Sequence, residues 1–311
     1  MVRSGAIATA ALITATAAAH AEIKVVASSK PVHALVASVM GTTGVPVVLV
    51  GGAASPHSYA MKPSDAKAAN GARLLFRVSE SLEPFTAKLV KSLPKSVRVV
   101  SLLDAPGLAL LERRETGAFE AHGDSEHGHG TAKKAEPEDE RDPHVWLDPA
   151  NASLMVDQIA AALTEAEPAN AATFKANADA TKAKIAELSV EMERELKPFA
   201  GKPFIVLHDA YQYLERRFGL TAVGSIAVAP EAAPSGKRLS AIRKKIVDTG
   251  AVCVFAEPGM QPKVVSAVIE GSKVKSELLD PEATQLSPGP GVYADLMRGL
   301  ARGIKACFEA K

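Results

Sequence analysis

The sequence predicts an α/β protein: two α/β domains with mainly parallel sheets, joined by one long backbone helix, with a site in the cleft between them. Three observations carry this reading. Short apolar runs alternate with helical segments, twice over, as parallel strands covered on both faces do. The segment Pro168 to Lys197 has no internal Gly or Pro and carries one apolar stripe. A chain of 311 residues also exceeds what one core holds comfortably, so two domains are expected.

Met1 to Ala21 reads as a leader rather than as part of the fold. Arg3 supplies the positive end, an Ala-rich stretch follows, and Ala19-His20-Ala21 offers a small-x-small cleavage pattern. Cleavage near Ala21 starts the mature, exported chain at Glu22. The apolar stretch is short and weakly hydrophobic for a span of about 20 residues. The N-terminal α/β domain is then expected over residues 22–165. Ile23 to Ala27 reads as a strand, Pro31 to Met40 as a helix and Pro46 to Val50 as a strand. A short helix opens at Pro63-Ser64-Asp65. Arg73 to Val78 and Val97 to Val100 are further strands, with a helix over Pro84 to Ser92 between them.

Residues 112–142 break the pattern. They hold 10 acids, 5 bases, three His and four Gly, and almost nothing to bury, so a solvated loop is expected. Asp148-Pro149 next caps a helix, with Pro at its first position. The long connecting helix, residues 166–198, carries Phe174, Ala178, Ile185, Leu188, Met192 and Leu196 on one face and would span about 45 Å. The C-terminal domain, residues 199–311, restarts the alternation. Its strands are Phe204 to Leu207, a run near Val223, Val252 to Ala256 and an edge strand over Val274 to Leu278. Its helices are Ala210 to Phe218, Leu239 to Asp248, Pro262 to Glu270 and Val292 to Phe308.

Composition narrows the function. With 36 basic and 35 acidic residues the formal charge is +1, too balanced to neutralise nucleic-acid phosphates. With 4 Tyr, 1 Trp and 9 Phe, a sugar site of stacked aromatics is disfavoured. The 2 cysteines, Cys253 in a buried-looking strand and Cys307 on the inner face of the last helix, most simply pair in an exported protein.

Three histidines stand out by position. His57 follows the strand ending at Val50, His208 ends the strand Phe204 to Leu207, and His144 sits in the turn before a capped helix. Carboxyl ends of parallel strands are where open α/β sheets bind ligands. One histidine comes from each α/β unit and one from the connecting region, so facing crevices would bring the three imidazoles together.

Ser55-Pro56-His57-Ser58-Tyr59 with Lys62-Pro63-Ser64-Asp65, then Asp142-Pro143-His144-Val145-Trp146-Leu147-Asp148-Pro149, then His208-Asp209-Ala210-Tyr211 with Phe218-Gly219-Leu220, occur in that order. This set resembles the metal-ligand motifs of periplasmic zinc-binding proteins of ABC uptake systems, the ZnuA type. Phe255-Ala256-Glu257-Pro258 and the Cys253–Cys307 pair match as well. The resemblance implies a periplasmic, monomeric, non-enzymatic protein that holds Zn²⁺ between its domains at His57, His144 and His208. It would deliver the ion to the membrane permease of an ABC zinc importer.

Three neutral imidazoles suit zinc. Manganese-type relatives offer a harder set of two His and two carboxylates, and this chain has His208 where that branch has Glu. The fourth ligand is left open, a water or a nearby carboxylate, and Glu257 reads as structural. Phe76-Arg77-Val78-Ser79-Glu80 departs from the Gly-Pro-Glu-like turn of the family, which leaves that wall of the cleft undefined. His122, His127 and His129 in the charged loop are either accessory zinc ligands or plain linker residues, and His33 has no assigned role. The rival functions are a zinc-dependent hydrolase and a manganese-binding, iron-binding or adhesin relative on the same scaffold. The chain has no H-E-x-x-H, G-x-S-x-G or P-loop motif to support catalysis.

Overall fold

The computed structural model describes residues 23–114, 119, 140–227, 232–259 and 262–310. The expected leader, with its cleavage near Ala21, and the accessory histidines His122, His127 and His129 lie outside the described residues.

The N-terminal half contains β1 (Val25–Ala27), α1 (Lys30–Met40), β2 (Val47–Val48), α2 (Pro63–Asn70), β3 (Leu74–Arg77), α3 (Thr86–Ser92) and β4 (Arg98–Ser101). Next come α4 (Pro149–Ala166) and the long α5 (Ala171–Leu196). The C-terminal half contains β5 (Pro203–Val206), α6 (Gln212–Phe218), β6 (Thr221–Ser225), α7 (Gly236–Thr249), β7 (Cys253–Ala256), α8 (Pro262–Ile269), β8 (Lys275–Leu278) and α9 (Val292–Glu309). The strands form two four-stranded sheets, ordered β2-β1-β3-β4 and β6-β5-β7-β8, with every pairing parallel.

Alternate strand residues face opposite cores, which explains the unbroken apolar runs. Val25, Ala27, Leu74 and Phe76 face inward with Phe204, Val206, Cys253 and Phe255 from the second sheet. These residues share one apolar cluster, filled by α1, α4, α5 and α9. Val26 and Leu75 point outward to a smaller core against Ala69 and Leu89. Ile205 and Val254 do the same against Ile242, Ile246, Val265 and Val268.

The connecting helix fills the predicted segment, running from Pro168 to Phe199. Its ends tighten into 3-10 turns at Pro168–Asn170 and Lys197–Phe199, leaving 26 α-helical residues or about 39 Å. Pro168 drives Glu167 out of the helical region, to φ −143° and ψ 77°. Pro198 brings no amide hydrogen to the last turn. Cys253 on β7 and Cys307 on α9 form a disulfide with Cα atoms 6.0 Å apart, which staples the last helix to the second sheet. Among the described residues, no helix is long and apolar enough to cross a membrane.

The charged loop corrects one expectation. Its composition offers almost nothing to bury, yet Phe119 is only 7% exposed and joins the main core. Its ring lies 4.0 Å under the Arg114 guanidinium, and its amide donates to the Val223 carbonyl at 3.0 Å. A lone aromatic in a polar stretch can still dock when a charged neighbour stacks over it.

Candidate metal centre

His57 rides on the loop after β2. That loop is set by Tyr59, whose hydroxyl donates to Asp65 Oδ2 at 2.7 Å, and by Asp65, which also accepts the Lys62 amide at 2.8 Å. His144 opens the 3-10 turn Val145–Leu147, just before Asp148 caps α4 by accepting the Ala150 amide at 2.8 Å. His208 lies two residues past β5. Thus the three predicted histidines come from three separate segments.

The structure brings them together. One nitrogen from each lies within 4.8 Å of the others, and the ring centroids are 5.3, 5.5 and 5.4 Å apart. His57 Nε2 is 3.3 Å from His144 Nε2. Two rings are held from behind by carboxylates: Asp142 Oδ1 is 2.8 Å from His144 Nδ1, and Glu257 Oε1 is 2.7 Å from His208 Nδ1. Such partners fix the tautomer and aim Nε2 at the cavity. His208 Nε2 is buried and has no hydrogen-bond partner. A buried polar atom left so is costly unless something else ligates it.

Sequence reasoning missed a fourth group. Glu282, 6% exposed, places Oε1 3.3 Å from His57 Nε2 and accepts from Ser55 Oγ at 3.2 Å. The signal available was an acidic residue just past an edge strand of a parallel sheet, in Asp280-Pro281-Glu282. Glu257 takes a supporting place behind His208, and Tyr211 donates its hydroxyl to the same Oε1 at 3.3 Å. His33 sits away from the cluster, with Nε2 3.0 Å from the Pro46 carbonyl.

The electrostatics divide the imidazoles. Burial, then the nearby His144, His208 and Arg113, holds His57 well below the ordinary imidazole range. Burial and His208 do the same to His144. For His208, burial opposes the charge, but Glu257, with Glu282 and Asp209 behind it, pushes the pKa up to about 9. Burial raises Glu282 to about 8 against the pull of His208. Two imidazoles are thus ready as neutral ligands, and the third carries a proton that a cation must displace. Three converging imidazole nitrogens suit the nitrogen preference of Zn²⁺, and Glu282, beside His57, is the carboxylate at hand for a fourth position.

The family described as "Zinc-uptake complex component A periplasmic" matches residues 25–307. The chain is 42% identical over 308 residues to the high-affinity zinc uptake system protein ZnuA of Brucella suis, covering 92% of this chain and 91% of that protein. It is 38% identical to the protein of the same name from Paracoccus denitrificans, covering 97% of each. The crystal structure of a ZnuA superposes with a TM-score of 0.76 at 23% identity, covering 92% of this chain and 99% of that one, a likeness of fold.

Proposed function

The chain belongs to the ZnuA family of periplasmic zinc-uptake components, and on that premise we propose that it captures Zn²⁺ at His57, His144, His208 and Glu282. The family's role is transport, and the ion is cargo to be handed, one per chain, to the permease of an ABC importer. The observation that carries this reading is the cluster itself. Three imidazole nitrogens converge within 4.8 Å, two rings are braced by carboxylates, and the buried Nε2 of His208 has no partner.

The donor set argues for zinc over manganese. A harder ion prefers oxygen, and only one of the four groups is a carboxylate. The histidines and Glu282 come from both halves of the chain, so capture would draw the two halves onto one ion. The test is chelator-competition titration of the mature protein and its single alanine variants. His144→Ala and His208→Ala should each lose at least about a hundredfold in zinc affinity, beyond the range for supporting residues. His33→Ala should bind as the parent does. Wild-type affinity in both ligand variants would falsify the assignment.

A further inference from the structure

Lys30 is an unlikely residue in its place. It is the first residue of α1, where the helix dipole disfavours a cation, and it is 4% exposed. Burial lowers its pKa, while Asp280 raises it. No demand of the helix explains it. Its Nζ donates three hydrogen bonds, as many as an ammonium has, and all three go to backbone carbonyls. One is Gly52, at 2.6 Å, at the start of the loop that carries His57. The others are Ala283 at 3.1 Å and Thr284 at 2.7 Å, in the loop that carries Glu282.

Those acceptors lie in opposite halves of the chain, on the two segments whose side chains meet at 3.3 Å in the cluster. The Glu282 loop also holds a conformation it would not adopt unaided. Ala283 has φ of 56°, the left-handed region that L-residues rarely occupy. Two contacts keep it there: the Lys30 bond to its own carbonyl, and the Asp280 carboxylate, which accepts the Thr284 and Gln285 amides at 2.9 and 3.0 Å. Asp280 organises the loop internally, and Lys30 supplies the cross-link to the other half. A second tie runs parallel, from Trp146 Nε1 to the Pro281 carbonyl at 3.0 Å, and serves the His144 turn.

We propose that Lys30 is a positioning residue for the metal centre: its ammonium pins the Glu282 loop to the His57 loop and so presents the Glu282 carboxylate to the bound ion. The proposal rests on Glu282 being the fourth ligand. Lys30 itself touches no ion. Its effect is on how the Glu282 loop sits against the His57 loop, which distinguishes it from a residue that merely stabilises the fold.

The test uses the mature full-length chain with zinc, read by chelator competition, and with Co²⁺, read by its visible absorption, which reports coordination geometry. Glu282→Gln should weaken zinc binding and alter the cobalt spectrum. Lys30→Met should weaken zinc binding by about 10–100-fold, the range for groups that orient a ligand, and shift the spectrum in the same sense. Lys30→Arg should restore part of both. The double variant should bind no worse than Glu282→Gln alone, because a residue acting through Glu282 has nothing left to position. Should Lys30→Met not fold, Lys30→Gln makes the same comparison with fewer donors, and a loss and a spectral shift are again expected. Wild-type affinity and spectrum in the Lys30 variants, beside a weakened Glu282→Gln, would overturn the proposal alone. So would multiplied losses in the double variant. A silent Glu282→Gln would overturn the fourth ligand and the role of Lys30 with it.

Discussion

The two sheets have the same strand order, and each places a buried glutamate across the ends of its two central strands, yet only the second glutamate braces a histidine of the metal cluster. In the first sheet Glu83, 0% exposed, bonds Ser28 Oγ after β1 and accepts the Val78 and Ser79 amides after β3 at 2.9 and 3.1 Å. In the second, Glu257 follows β7 and accepts from His208, which follows β5. Both crevices lie where strand order reverses, the usual place for a ligand. Backbone amides and a hydroxyl satisfy Glu83 completely and close the first crevice. An imidazole satisfies Glu257 and still has a second nitrogen to offer. What fills the opposite strand end decides whether a buried carboxylate seals a sheet or supports a ligand.

Exchanging the carboxylates for amides tests this contrast most strongly. Glu257→Gln should weaken zinc binding by about 10–100-fold, because His208 loses the acceptor that aims it. Glu83→Gln should leave zinc affinity unchanged and lower the melting temperature of the metal-free protein, costing about 1–3 kcal/mol for the lost acceptor. Competition titration and thermal melts on the same samples separate the two, and equal effects on zinc would erase the contrast.

Acidity should give the next largest effect. With His208 pushed up to about 9, most molecules at pH 7.5 hold a proton that zinc must expel. Protonation removes the ligand, so affinity should fall as pH falls, by about tenfold per unit below 9 and more steeply below 8, where Glu282 takes up a proton as well. His57 and His144, held well below the ordinary value, should add no competition until the medium is more acidic. Calorimetry at pH 7.5 in buffers of different ionisation enthalpy should count between one and two protons released per zinc, from His208 and from Glu282, which burial pushes up to about 8. Zero would place the proton elsewhere.

The smallest effect on zinc should come from the disulfide, which only the second sheet has. Reduction frees a sequence separation of 54 residues, worth about 4 kcal/mol in the chain-entropy picture. The melting temperature should drop by several degrees while zinc affinity moves less than about threefold, since the staple lies behind the sheet and touches no ligand. A larger change in affinity would mean that β7 carries strain to Glu257.

The legible parts of this molecule were those written in local pattern. The three histidines could be read because each follows a strand or opens a capped turn. The alternation of strands and helices survived because both faces of each sheet are buried. Glu282 was not legible: it is brought to His57 by a fold of more than two hundred residues, and nothing within its own loop marks its direction. The departure at Phe76 to Glu80 left one wall of the cleft undefined, and the structure fills it with Glu83. Phe119 was hidden by the charges around it. Lys30 drew no notice, lying just ahead of the helix expected over Pro31 to Met40, because its three acceptors are carbonyls and carbonyls leave no mark in a sequence.

Phe119 also bears on solubility. β6 is the outer strand of its sheet, and its register skips Val223 between Ala222 and Gly224, a bulge that bends the rim. The Phe119 amide takes the Val223 carbonyl, while Lys245 Nζ holds the Phe119 carbonyl in turn. An outer strand with free carbonyls and amides is a template for another chain. Here a residue borrowed from the charged loop occupies part of that template. Phe119 is therefore expected to hinder pairing rim to rim, a task that involves no metal. Sedimentation of Phe119→Ala at rising concentration should show more self-association than the parent, and a variant that sediments as the parent does would remove this role.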